Sequence, residues 1–173
     1  MGLFDAFKKK NNAASNADTA EPAASGKVFE DYFTEIQADM IDICLEYIED
    51  YADMIYIYCS TERNTLSADF FYRINGKCIE KEKVNEAEGP HPHYTSDLDN
   101  IFKVIEILVE DLEKLKSVCG KYSKPVPTEI KLYYDVKKRS LDGKYKYEAV
   151  YSMYKDKLSD DVFEEWFNEE SAK

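Results

Sequence analysis

His91 and His93 are the only imidazoles in this chain of 173 residues. They flank Pro92, and such an H-x-H pair can bring two ring nitrogens to one zinc ion, with Glu86, Glu88 or Asp97 as a third ligand. No further histidine or thiol lies close in sequence. The segment is therefore read as an exposed loop with two titrating imidazoles, and metal-dependent catalysis through His91 and His93 is the alternative. Cys44, Cys59, Cys78 and Cys119 are far apart and form no C-x-x-C pair, which excludes a zinc ribbon and a thioredoxin-like motif. No G-x-S-x-G elbow occurs, and the six glycines build no G-x-G-x-x-G or phosphate loop. With 35 acidic residues some carboxylate pair always fits a glycosidase, so that test discriminates nothing. The residues point to a protein that is not an enzyme and carries no metal or cofactor.

Charge is the stronger signal. Twenty-three basic residues against 35 acidic ones give a net charge of -12. A polyanion repels nucleic acid and attracts basic protein surfaces. Lys8, Lys9 and Lys10 cancel Asp5, Asp18 and Glu21, so the excess belongs to the rest of the chain. Four dispersed thiols without a signal peptide fit a reducing cytoplasm. No apolar run is long enough to span a bilayer.

The elements that position these charges follow from periodicity. From Val28 to Tyr51 apolar residues recur at steps of three and four, which predicts an amphipathic helix. Its other face carries Glu30, Asp31, Glu35, Asp39, Asp42, Glu46, Glu49 and Asp50 without a lysine or arginine. Like charges at these spacings cost helix stability, so the face is read as a binding surface centred on Asp39, Asp42 and Glu46. Met54–Ser60 and 65–74 are predicted strands, Asn75-Gly76 a type I′ hairpin turn, and 77–84 an edge strand. A second helix has Ser96 as its expected N-cap, runs to about Val118 and is ended by Gly120. Two more strands are expected at 129–136 and 144–151, with Asp142-Gly143 as their turn. An acidic helix capped by Ser159 follows over 160–169. Hairpins interrupted by helices predict an α+β domain, an antiparallel sheet of about five strands with helices packed on one face.

Tyrosine is the unusual residue type, with 14 copies. Alternation sends Tyr56 and Tyr58 to one face of their strand and Ile55 and Ile57 to the other. An open tyrosine face beside acidic helices fits protein binding. A face covered by helices is the other possibility.

Residues 1–26 are read as a disordered tail and 27–173 as the single folded domain. Leu3, Phe4 and Phe7 share one helical face ahead of Lys8, Lys9 and Lys10. That head is read as a frayed terminus, or else as a weak membrane-surface anchor that would make the chain an adaptor. Gly2 suits myristoylation, but Ala6 stands where Ser or Thr is wanted.

Across roughly Val28 to Tyr151 the chain resembles the YezG-like immunity-protein (antitoxin) family of bacterial LXG polymorphic toxin systems. The resemblance rests on the opening amphipathic helix, the Tyr56-Ile57-Tyr58 strand, the Phe70-Phe71-Tyr72 strand, and the hairpin from Pro127-Thr128 through Asp142-Gly143-Lys144-Tyr145. Val126 and Thr128 flank Pro127 where the family often has a tryptophan, and Asp160 to Glu170 is acidic where the family is usually more basic. The resemblance implies a protein that binds and neutralises a toxin, with no catalytic residues. Many such toxins are nucleases with positive grooves. The expected partner is a basic toxin domain, met by Asp39, Asp42, Glu46, Tyr56 and Tyr58.

Overall fold

The first helix, α1 (Phe29–Tyr47), starts where the Asp31 carboxylate accepts the backbone N–H of Val28 at 3.0 Å. An acid in the first turn also suits the helix dipole. The structure, a computed structural model, describes residues 26–173. The tail and the Leu3/Phe4/Phe7 head fall almost entirely outside the described residues. Helix α1 ends earlier than its apolar pattern predicts, because Glu49 and Asp50 take positive φ and the Asp50 N–H turns back to the Leu45 carbonyl.

The chain then forms β1 (Met54–Ser60), β2 (Ser67–Ile74) and β3 (Lys77–Glu80), helix α2 (Leu98–Lys121), β4 (Glu129–Asp135), β5 (Ser140–Lys146) and helix α3 (Ser159–Ser171). All strand pairs are antiparallel, in the order β3-β2-β1-β4-β5. This is the expected α+β class with five strands. The central strand β1 is buried along nearly its whole length, which explains its unbroken apolar run.

The expectation of helices on one face is corrected. Helices α1 and α2 bury Ile55, Ile57, Cys59, Phe70 and Tyr72 on one side of the sheet. On the other side α3 buries Tyr56, Tyr58 and Phe71 under Val162, Phe163 and Trp166. The central strands present bulky side chains on both faces, and each face demands a cover. Phe29 at the start of α1 packs 5.9 Å from Tyr122 beyond the end of α2, so the two helices of the upper layer run antiparallel.

Three boundaries also move. Strand β3 stops at Glu80, and 81–86 winds into a 3-10 helix that buries Lys81 and Val84 at its three-residue spacing. Asp97, not Ser96, caps α2, its carboxylate accepting the Asn100 N–H at 2.8 Å. Asp142-Gly143 is not a turn but lies inside β5, opposite Tyr133 and Leu132. A Cβ at Gly143 would meet the Tyr145 hydroxyl at 2.2 Å. The glycine lets the Tyr145 ring cross the strand to Phe33 and Gln37, whose amide donates to the Tyr145 hydroxyl at 2.6 Å.

Candidate functional site

The α1 acids divide by exposure. Glu30, Glu35, Asp42, Glu49 and Asp50 lie at the surface, whereas Asp39 and Glu46 are half-buried. Lys27, just ahead of the helix, bridges Glu35 at 2.7 Å and is the cation that the helix itself lacks. One oxygen of Glu46 is buried without a hydrogen bond, and burial pushes its carboxyl above the ordinary range. Asp39 lies close enough to Asp111 of α2 for its charge to raise the Asp111 carboxyl. Of the three acids expected at the centre of the surface, Asp42 is thus the exposed one.

Tyr56 and Tyr58 are corrected from surface to core. They are 3% and 1% exposed and stack among Phe71, Phe163 and Trp166. The pattern that sends them to one face is right, but α3 covers that face. Several tyrosine hydroxyls instead reach other parts of the interior. Tyr72 donates to the Cys44 carbonyl at 2.8 Å and Tyr47 to the Lys81 carbonyl at 3.0 Å. Arg73 donates from Nε to the Tyr56 hydroxyl at 3.1 Å and from its guanidinium to the Glu170 carbonyl at 2.9 Å, tying α3 to the hairpin.

The His91 ring stacks at 5.7 Å on Tyr94 and its Nδ1 lies 2.6 Å from the Pro92 carbonyl. Among the described residues no three His, Cys, Asp or Glu converge as metal ligands would. Cys44, Cys59 and Cys119 are buried free thiols, and burial pushes Cys59 up to about 12, which leaves it protonated near neutral pH.

A surface the periodicity does not single out lies between β3 and α3. It is an open groove of about 510 Å³. Phe163 and Phe167 form its apolar part, and Asp69, Glu80, Glu82, Asp160 and Glu164 surround it. Among the described residues Lys81 is the one cation in its lining, 8% exposed, with Nζ 2.8 Å from Asp69, 2.9 Å from Glu82 and 5.6 Å from the centre of the Phe163 ring. Burial works against this ammonium, but the two carboxylates outweigh it and hold Lys81 above its ordinary range. The spacing of Asp160, Phe163, Glu164 and Phe167, at steps of three and four in an acidic helix, is the signal in the sequence. It reads as a half-buried stripe until the strand beside it is known.

Compared with known protein families and with curated proteins, the chain matches no family model and no curated sequence.

Proposed function

We propose that this chain is an immunity protein: it binds a basic toxin domain and blocks it, acting as a binding protein and not as an enzyme. The observation that carries the reading is the groove beside α3, where five carboxylates surround two phenylalanine rings. Rings supply contact area and carboxylates supply charge, a combination that suits lysine and arginine side chains of a protein partner. The exposed acids of α1 form a second negative surface on the other side of the sheet. Complementary fields speed encounter and make it fall with salt. A nuclease domain fits this chemistry because its substrate groove is positive. Neutralising a toxin made in the same cell would place the encounter in the cytoplasm. Among the described residues no helix is long and apolar enough to cross a membrane.

Rescue tests the reading. Cells expressing the C-terminal domain of an LXG-type toxin encoded beside this gene should stop growing, and co-expression of this chain should restore growth. Arrest in both cultures, or the absence of such a toxin gene, would reject it.

A further inference from the structure

The edge strand β3 leaves backbone groups of alternate residues facing outward. Asn75-Gly76 closes a two-residue hairpin, with φ of 49° and 81°, so Ile74 and Lys77 form its hydrogen-bonded end pair. Alternation then makes Tyr72–Ile79 the next bonded pair and Arg73–Cys78 and Phe71–Glu80 the non-bonded ones. The Arg73 carbonyl confirms the phase, since it accepts the Asp53 N–H on the side of β1, away from β3. The Cys78 N–H and C=O and the Glu80 N–H therefore point off the sheet, while the Glu80 carbonyl is taken by the 3-10 helix that begins at Lys81. Among the described residues no strand lies beyond β3.

The groove lies at the C-terminal end of this edge, where Glu80 gives way to Lys81 and Glu82. The Cys78 side chain joins the α3 core, and Glu80 lines the groove with Phe163, Glu164 and Phe167. A strand laid beside β3 at the usual spacing of about 4.8 Å would send every second side chain toward α3. Lys81 shows what this environment holds: an ammonium between two carboxylates, over a phenylalanine ring. Asp160 and Glu164 have no cation paired with them among the described residues.

We infer that β3 is a strand-addition site for an extended, basic segment of a partner protein, whose alternate side chains enter the carboxylate groove beside α3. The protein partner rests on the immunity reading; the mode of binding does not. Backbone pairing supplies a sequence-independent part of the affinity, and the groove selects lysine or arginine at alternate positions. A second copy fits poorly. Its own β3 would bring Glu80 and Glu82 against like charges. The lysines of its β5 are already engaged, Lys144 at 4.8 Å from the Tyr133 ring and Lys146 at 3.0 Å from Glu129.

The probe is a short end-blocked peptide of alternating lysine and valine, with a twin N-methylated on one strand edge. Added to the isotopically labelled full chain, the peptide should shift the Cys78 and Glu80 amides and slow their hydrogen exchange. The twin should not bind. Glu164→Lys should weaken the peptide by about tenfold through charge. Glu80→Pro should do the same through the backbone, because φ is -68° at Glu80 and its N–H is not used by the sheet. Equal binding of the twin, shifts centred on Asp39, Asp42 and Glu46, or no shift at millimolar peptide would overturn the site. So would concentration-dependent self-association abolished by Glu80→Pro. In the rescue assay, survival with Glu80→Pro and Glu164→Lys combined would remove this site and leave immunity standing. Failure of the unmodified chain to rescue would remove immunity and leave the peptide result intact.

Discussion

The Glu62 carboxylate accepts the backbone N–H of Ser152 at 2.8 Å, across 90 residues of chain. It also accepts the N–H of Val150 at 2.6 Å and of Tyr151 at 3.4 Å. One buried acid thereby pins the connection from β5 to α3, and Arg63 next to it holds the Tyr154 carbonyl at 2.6 Å.

Burial opposes the charge on Glu62, but hydrogen bonds from Ser152, Val150 and Tyr151 outweigh it and hold the carboxyl below its usual range. A depressed folded pKa contributes stability that is present above the unfolded value, about 4.3, and is lost as pH falls through the folded value. Glu62→Gln should cost about 1–3 kcal/mol in urea titrations at neutral pH and flatten the stability curve below pH 4. An unchanged acid limb would show that the carboxylate is not the linked group.

Asp111 has the opposite sign. It is 0% exposed, one oxygen meets Lys114 at 2.7 Å and the other has no hydrogen bond. Burial pushes its carboxyl up, with Asp39 adding to the shift and Lys114 opposing it. The folded protein then holds this proton more tightly than the unfolded chain does, so stability falls as pH rises from the unfolded value through the folded one. Asp111→Asn should raise stability at neutral pH by about 1 kcal/mol and remove that decline. Thermal melts at pH 4 and pH 7 measure both effects, and a variant less stable at pH 7 would count against them.

Tyr58 should behave as core. Tyr58→Ala should cost about 3–5 kcal/mol, as for other large aromatic truncations. Its buried hydroxyl lies near Ser159, which is itself engaged with Ser67, and makes no well-formed hydrogen bond. Tyr58→Phe should therefore be neutral or stabilising by up to about 1 kcal/mol. Loss of more than that on chemical denaturation would mean that the hydroxyl is satisfied.

Gly143→Ala should destabilise by about 1–3 kcal/mol, since the new methyl would push Tyr145 away from Phe33 and Gln37. The double variant with Tyr145→Ala should show little further cost from the alanine. A full additive penalty would place the strain in the backbone instead.

Periodicity carried the helices and the order of elements along the chain, because α1 and α2 each bury a regular stripe and β1 is a short continuous apolar run. It failed where a residue serves a distant partner. Asp142-Gly143 has the composition of a turn, yet its glycine answers to a ring two residues on. Lys81 and Glu82 look like solvated edge residues, and the carboxylate and ring that hold Lys81 come from β2 and α3. Tyr56 and Tyr58 were legible as sharing a face, but whether that face is open depends on where α3 docks, and no local pattern encodes docking. For the same reason the acids of α1 were visible as a set, while the half-burial of Asp39 and Glu46 was not.

The layer that α3 completes has a consequence for synthesis. Tyr56 and Tyr58 leave the ribosome well before the helix that shelters them, and at about 5–20 residues per second roughly 110 residues separate Tyr56 from Trp166, a delay of about 5–20 s. From the completion of α2 at Lys121 until Trp166 follows about 45 residues later, a nascent chain able to assemble the α1–α2 side of its sheet would expose an aromatic underside to the crowded cell. Chaperone capture of the nascent chain should concentrate on that underside and end when Trp166 arrives.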